Sequence, residues 1–153
     1  MTFEQAMNHI LRWEGGYSYD IRDPGGETSF GISKRAYPKI NIELLSKEEA
    51  HDIYKKDYWE KIKCDELPNC LKLIVFSSAV NQGPGFAVKT LQKIVEVKVD
   101  GRIGPKTIEA IKAVNPLAIK KDFLKIQAEH YFSLNKSEFI KGWILRLIDL
   151  SQY

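Results

Sequence analysis

The residues with the most chemical potential lie between 11 and 33, in LRWEGGYSYDIRDPGGETSFGIS. Four carboxylates (Glu14, Asp20, Asp23 and Glu27) fall there beside the hydroxyls of Thr28 and Ser29 and the rings of Tyr17, Tyr19 and Phe30. One carboxyl group that stays protonated can donate to a glycosidic leaving oxygen, and a second can steady an oxocarbenium ion or orient a water. Glu14 suits the first role by its position. Phe3, Ala6, Met7, Ile10 and Leu11 recur at helical spacing, and a wheel stepped at about 100° per residue returns to the middle of that stripe at position 14. A glutamate there is partly desolvated and sits at the negative end of the helix dipole; both effects disfavour its charged form and raise its pKa. The plain alternative is a solvated glutamate at a frayed helix end, with Gly15 and Gly16 as its C-cap. Likewise Asp23, in Asp-Pro-Gly-Gly, suits either a stabilising carboxylate or a turn-capping side chain. The tyrosines could stack on sugar faces or close a small core.

The elements that must position these groups are helical. Thr2 with Gln5 and Ser46 with Glu49 have capping-box form, opening one helix before Glu14 and another through Ala50, Ile53, Tyr54 and Tyr58. LKLIVFSSAVNQ is apolar on nearly all sides and reads as a central helix; QGPG at 82–85 breaks it. Further helices follow in FAVKTLQKIVEV, in PKTIEAIKAV behind Pro105, from about 117 to 132, and from about 137 to 150. Strand patterning is confined to a short hairpin within 17–32, so the fold class is mainly α.

With 153 residues, 44% hydrophobic and 28% charged, the chain can bury one good core and has ordinary globular composition. A net charge of +3 favours an acidic polymer only mildly, and no nucleic-acid motif accompanies it. No run approaches the length of a membrane span, and MTFEQAMNHI lacks the form of a secretory leader, so no membrane insertion is expected and the product is expected to start in the cytoplasm. Cys64 and Cys70 are too few for a disulfide scaffold and read as free thiols. His9, His51 and His130 are dispersed without metal-ligand spacing, so no metal or other cofactor is expected. Trp59 and Trp143 suit core positions better than sugar platforms.

WEGGY followed by DPGGETSFGIS resembles the N-terminal signature of glycoside hydrolase family 108, whose members are N-acetylmuramidases found as phage endolysins, autolysins and secretion-associated muramidases. AVNQGPGFAVKTLQKIVEVKVDGRIGPKTIEAI resembles the predicted peptidoglycan domain that usually follows it. The resemblance implies a lysozyme-like, two-lobed helical fold with a cleft: one compact domain over 1–153, with a catalytic lobe at 1–80 and a helical lobe at 81–153. It implies Glu14 as general acid, with Asp23 in the matching D-P-G-G segment as the supporting carboxylate. A looser likeness to phage-type lysozymes, in which an aspartate and then a threonine follow the glutamate, selects Asp23 and Ser29. The threonine actually supplied is Thr28, one position earlier, so both hydroxyls stay candidates for positioning a water. Tyr17, Tyr19 and Asn81 complete the expected substrate contacts.

The implied reaction is cleavage of the β-1,4 bond between N-acetylmuramic acid and N-acetylglucosamine by a monomeric phage endolysin acting on peptidoglycan glycan strands, expected in the host cytoplasm before its release to the cell wall. The rivals are a lytic transglycosylase and a non-catalytic wall-binding or secretion-assisting protein. In wall-binding modules a D-G-x-x-G-P-x-T segment is associated with binding. Here Asp100-Gly101 reads equally as a turn, and Gly104-Pro105 with Thr107 as a helix start.

Overall fold

A computed structural model describes residues 1–13 and 27–153. Among these are seven α-helices and one two-stranded antiparallel sheet, the mainly α architecture with a short hairpin that the patterning predicts. The chain forms two compact units, Thr2–Asp57 and Tyr58–Tyr153, the second joined by Met1.

In the N-terminal unit, α1 spans Phe3–Trp13. Its capping box forms as expected: the Thr2 amide donates to Gln5 Oε1 at 2.9 Å and the Gln5 amide to Thr2 Oγ1 at 3.3 Å. Phe3, Ala6, Met7 and Ile10 are buried, Leu11 only half so, and His9 joins them. Strands β1 (Thr28–Ser29) and β2 (Ile32–Ser33) pair Thr28 with Ser33 and Ser29 with Ile32. The two-residue loop between them has Phe30 at φ 50° and Gly31 at φ 78°, the doubly positive geometry of a type I′ hairpin turn. A phenylalanine there is uncommon. Its carbonyl accepts a 2.8 Å hydrogen bond from Tyr54 Oη, which ties the turn to α2 (Lys47–Tyr54). Ser46 and Glu49 cap α2 reciprocally, and its end widens into π-helical bonding over Lys55–Glu60.

The C-terminal unit is built round α3 (Asn69–Gln82), in which Leu71 and every residue from 73 to 79 are buried. That all-round burial is what its apolar sequence requires. α4 (Pro84–Ile94) and α6 (Pro116–Ser133) pack on α3 and on each other, α5 (Pro105–Ala113) packs on α6, and α7 (Ser137–Ser151) also packs on α6. Pro84, Pro105 and Pro116 each stand in a first turn, where the missing N–H costs no helical bond. α5 ends where Val114 turns extended, and Asn115 caps α6 by accepting the Leu117 amide at 2.9 Å. Trp59 is fully buried, its ring edge-on to Phe76 at 5.3 Å, and Trp143 stacks on Tyr131 at 4.9 Å. Among the described residues, no helix is long and apolar enough to cross a membrane.

Candidate active site

Glu14, Asp23, Tyr17 and Tyr19 lie outside the described residues. What the structure places is the frame on either side of them in the chain. Before them, α1 presents a buried face of Phe3, Ala6, Met7 and Ile10, and the helix ends at Trp13. After them comes the hairpin. Strand neighbours point to opposite faces, so Thr28 and Ser29 cannot present their hydroxyls to the same partner. Ser29 is 5% exposed and Thr28 is half-buried, which leaves Thr28 as the more accessible hydroxyl.

Asn81 belongs to the C-terminal unit, on the last turn of α3, and is exposed. Its amide is fixed at both ends: Nδ2 donates to the Ser77 carbonyl one turn back at 2.7 Å, and Oδ1 accepts from Arg146 Nη1 on α7. Such a side chain is oriented before any ligand arrives. Arg146 is the neighbour of Asn81 that reading the sequence misses, because its spacing in α7 marks it only as one charge among apolar residues. Beside it runs a polar seam. Ser78 Oγ donates to Gln82 Oε1 at 2.9 Å, and Gln127 Nε2 reaches the same oxygen at 3.3 Å. Burial pushes the Tyr131 hydroxyl up, opposed by its contact with Gln82 and by the Arg146 charge.

The second motif segment resolves into a staple. Gln92 on α4, 1% exposed, donates through Nε2 to Asp100 Oδ1 at 2.8 Å and to the Arg102 carbonyl at 3.0 Å, with Thr107 Oγ1 at 3.4 Å. Its Oε1 accepts the Gly101 amide at 2.8 Å, and Asp100 Oδ1 also accepts the Arg102 amide at 2.9 Å. These bonds hold the Asp100 carboxyl below its ordinary value, Gln92 first and the Arg102 amide second. Gly101 stands at φ 76°, and a Cβ there would meet Lys89 Cε at 3.2 Å. Asp100, Gly101 and Thr107 therefore shape the loop, the structural one of the two roles open to this motif.

The histidines have separate surroundings: His9 lies against Arg12, His51 pairs with Glu4 at 2.7 Å, and His130 packs on Phe86. Among the described residues, no group of three His, Cys, Asp or Glu side chains is placed to hold a metal ion. Both thiols are free; Cys64 is fully buried, and burial pushes its thiol up, away from the thiolate form.

The described frame is mainly α, with a short hairpin after the carboxylate-bearing segment of the sequence, and comparison with known proteins supplies the class. Residues 7–83 match glycosyl hydrolase 108, half of the chain, and the protein belongs to that family. Residues 86–148 match a predicted peptidoglycan domain. Among solved structures, SagA of Brucella abortus is similar over 98% of this chain and 91% of its own, with 34% sequence identity and a TM-score of 0.86. No curated protein matches the sequence. The protein is thus a glycoside hydrolase, and the domain that follows its catalytic family segment makes peptidoglycan its substrate.

Proposed function

We propose that the protein is an N-acetylmuramidase of lysozyme type, cleaving the β-1,4 bond between N-acetylmuramic acid and N-acetylglucosamine. The observation that carries this reading is the family match over 7–83, which takes in both Glu14-Gly15-Gly16-Tyr17 and Asp23-Pro24-Gly25-Gly26. The buried stripe of α1 supports Glu14 as the acid, since the same period, continued along the sequence, recurs at position 14. Glu14 donates its proton to the glycosidic oxygen as the C–O bond breaks; Asp23 steadies the oxocarbenium ion or directs the water that ends the reaction. Thr28 or Ser29 holds that water, and the greater accessibility of Thr28 favours it. Tyr17, Tyr19 and Asn81 contact the glycan, Asn81 with an amide that Ser77 and Arg146 have already turned. In this reading residues 1–80 form the catalytic lobe and 81–153 the helical lobe of one domain.

Product analysis tests the reaction. Mass spectrometry of digested peptidoglycan should show hydrated reducing ends at muramic acid, whereas 1,6-anhydro ends would make the enzyme a lytic transglycosylase. Glu14→Gln should lower the rate by roughly 10²–10⁴ at equal folded concentration, the usual share of a general acid. Unchanged lysis would remove Glu14 from the chemistry and leave a wall-binding role for the fold. The acid-form limb of the pH-rate profile should lie above the ordinary glutamate value of about 4.3, and a limb at or below it would refute the desolvation argument. We further propose an endolysin role, with the enzyme held in the host cytoplasm until the membrane is breached. Induced expression should then lyse cells only when a hole-forming protein is co-expressed; lysis without one would reject that route.

A further inference from the structure

A groove of about 680 Å³ opens in the C-terminal unit between the Asp100–Gly101 turn and the start of α5. Val97 and Pro105 line it together with Lys98, Arg102 and Lys106. Asp100 is the one carboxylate among its lining residues, and its Oδ1 is occupied by Gln92 and the Arg102 amide. Arg102 and Lys106 are exposed, and among the described residues neither is paired with a carboxylate. The division of labour within D-G-x-x-G-P-x-T follows from these contacts. Asp100, Gly101 and Thr107 are turned toward Gln92, while the variable positions Arg102 and Lys106 bring cations to the groove.

We propose that this groove binds the peptide stems of peptidoglycan through their carboxylates. The inference rests on peptidoglycan as substrate and is independent of Glu14. In that polymer the free carboxylates belong to the stem peptides, whose alanine methyls alternate with them. A cationic rim beside an apolar wall of Val97 and Pro105 complements both features. A polyphosphate chain would match the cations and leave the apolar wall unused.

The test uses the full chain carrying Glu14→Gln, so that binding is read without cleavage, against a soluble stem tetrapeptide and against sedimented walls. Arg102→Ala with Lys106→Ala should weaken tetrapeptide binding roughly tenfold, as removal of two exposed charge contacts does, and Arg102→Lys should restore most of it in the Lys106 background. Walls whose stem carboxylates have been converted to amides with carbodiimide and ammonia should retain less protein than untreated walls, and walls freed of phosphate polymers by hydrofluoric acid should retain as much. Equal binding by the double variant, or equal retention on amidated walls, overturns the proposal; loss on acid-treated walls overturns it in favour of a phosphate polymer. Both replaced side chains are exposed, and an unchanged melting temperature verifies that the fold survives. Should the parent enzyme cleave nothing while the groove still binds stems, the muramidase reading alone would fall.

Discussion

Single side chains decide more here than their number suggests, and Gln92 is the clearest case. Removing its amide leaves the Gly101 N–H and the Arg102 carbonyl without their partner and frees the Asp100 carboxylate. Gln92→Leu roughly keeps the volume and should cost about 1–2 kcal/mol, the net worth of hydrogen bonds whose other partners are half-buried or exposed, read as a lower denaturation midpoint in urea. The penalty should depend on pH in a fixed direction. The Asp100 carboxyl is held below its ordinary value of 3.8 chiefly by Gln92, so the folded state binds that proton less readily than the unfolded chain. Its contribution is complete above 3.8 and is lost as pH falls through the lower folded value. The gap between parent and Gln92→Leu should therefore narrow on acidification. A gap that widens below pH 3.8 would show that the staple does not work through Asp100.

At the scale of elements, the joint between α3 and α4 rests on Gly83, at φ 91° and ψ 151°. Nothing lies within 4 Å of where a Cβ would stand, so any cost of Gly83→Ala comes from the backbone alone. That conformation is nearly confined to glycine, and the substitution should cost about 1–3 kcal/mol. Gly142, inside α7 and equally open, is the control: Gly142→Ala should gain about 0.5–1 kcal/mol, since alanine loses less entropy in a helix. Equal thermal shifts for the two would refute the assignment of strain to Gly83. This joint was legible as QGPG, and so were both capping boxes and the prolines of the first turns, because each signal acts within four residues of itself. The π-helical stretch over Lys55–Glu60 was not legible, since it continues a helix without any local breaker. Nor was the Gln92 staple, whose partners lie eight to fifteen residues away. For the site, the sequence marks Glu14 through the period of α1 and marks Asn81 through the family motif, yet Arg146, which orients Asn81, is 65 residues distant and leaves no local trace. The two hydroxyls could not be ranked by counting; the alternation of β1 separates them.

Over the whole molecule the charge of +3 is unevenly spread. Residues 2–57 carry 8 Lys and Arg against 10 Asp and Glu, whereas residues 58–153 carry 15 against 10. The excess thus sits in the part that contains the predicted peptidoglycan domain, and the carboxylate-rich sequence from Glu14 to Glu27 belongs to the other. Under the proposed reading this separates two tasks electrostatically: one segment supplies long-range attraction to an anionic wall, and the other carries Glu14, the proposed proton donor. Attraction between exposed charges is screened as the Debye length shrinks from about 10 Å at 0.1 M salt to about 3 Å at 1 M. Proton transfer within a bound complex is not screened in that way. Raising salt over that range should accordingly raise KM for soluble wall fragments while leaving kcat nearly constant, because the interaction lost is one made equally in the bound complex and in the transition state. Steady-state kinetics on purified muropeptide oligomers at four or five salt concentrations would measure both constants. A fall in kcat at fixed KM would mean that the positive segment acts on the chemistry itself, and the separation of tasks between the two segments would have to be abandoned.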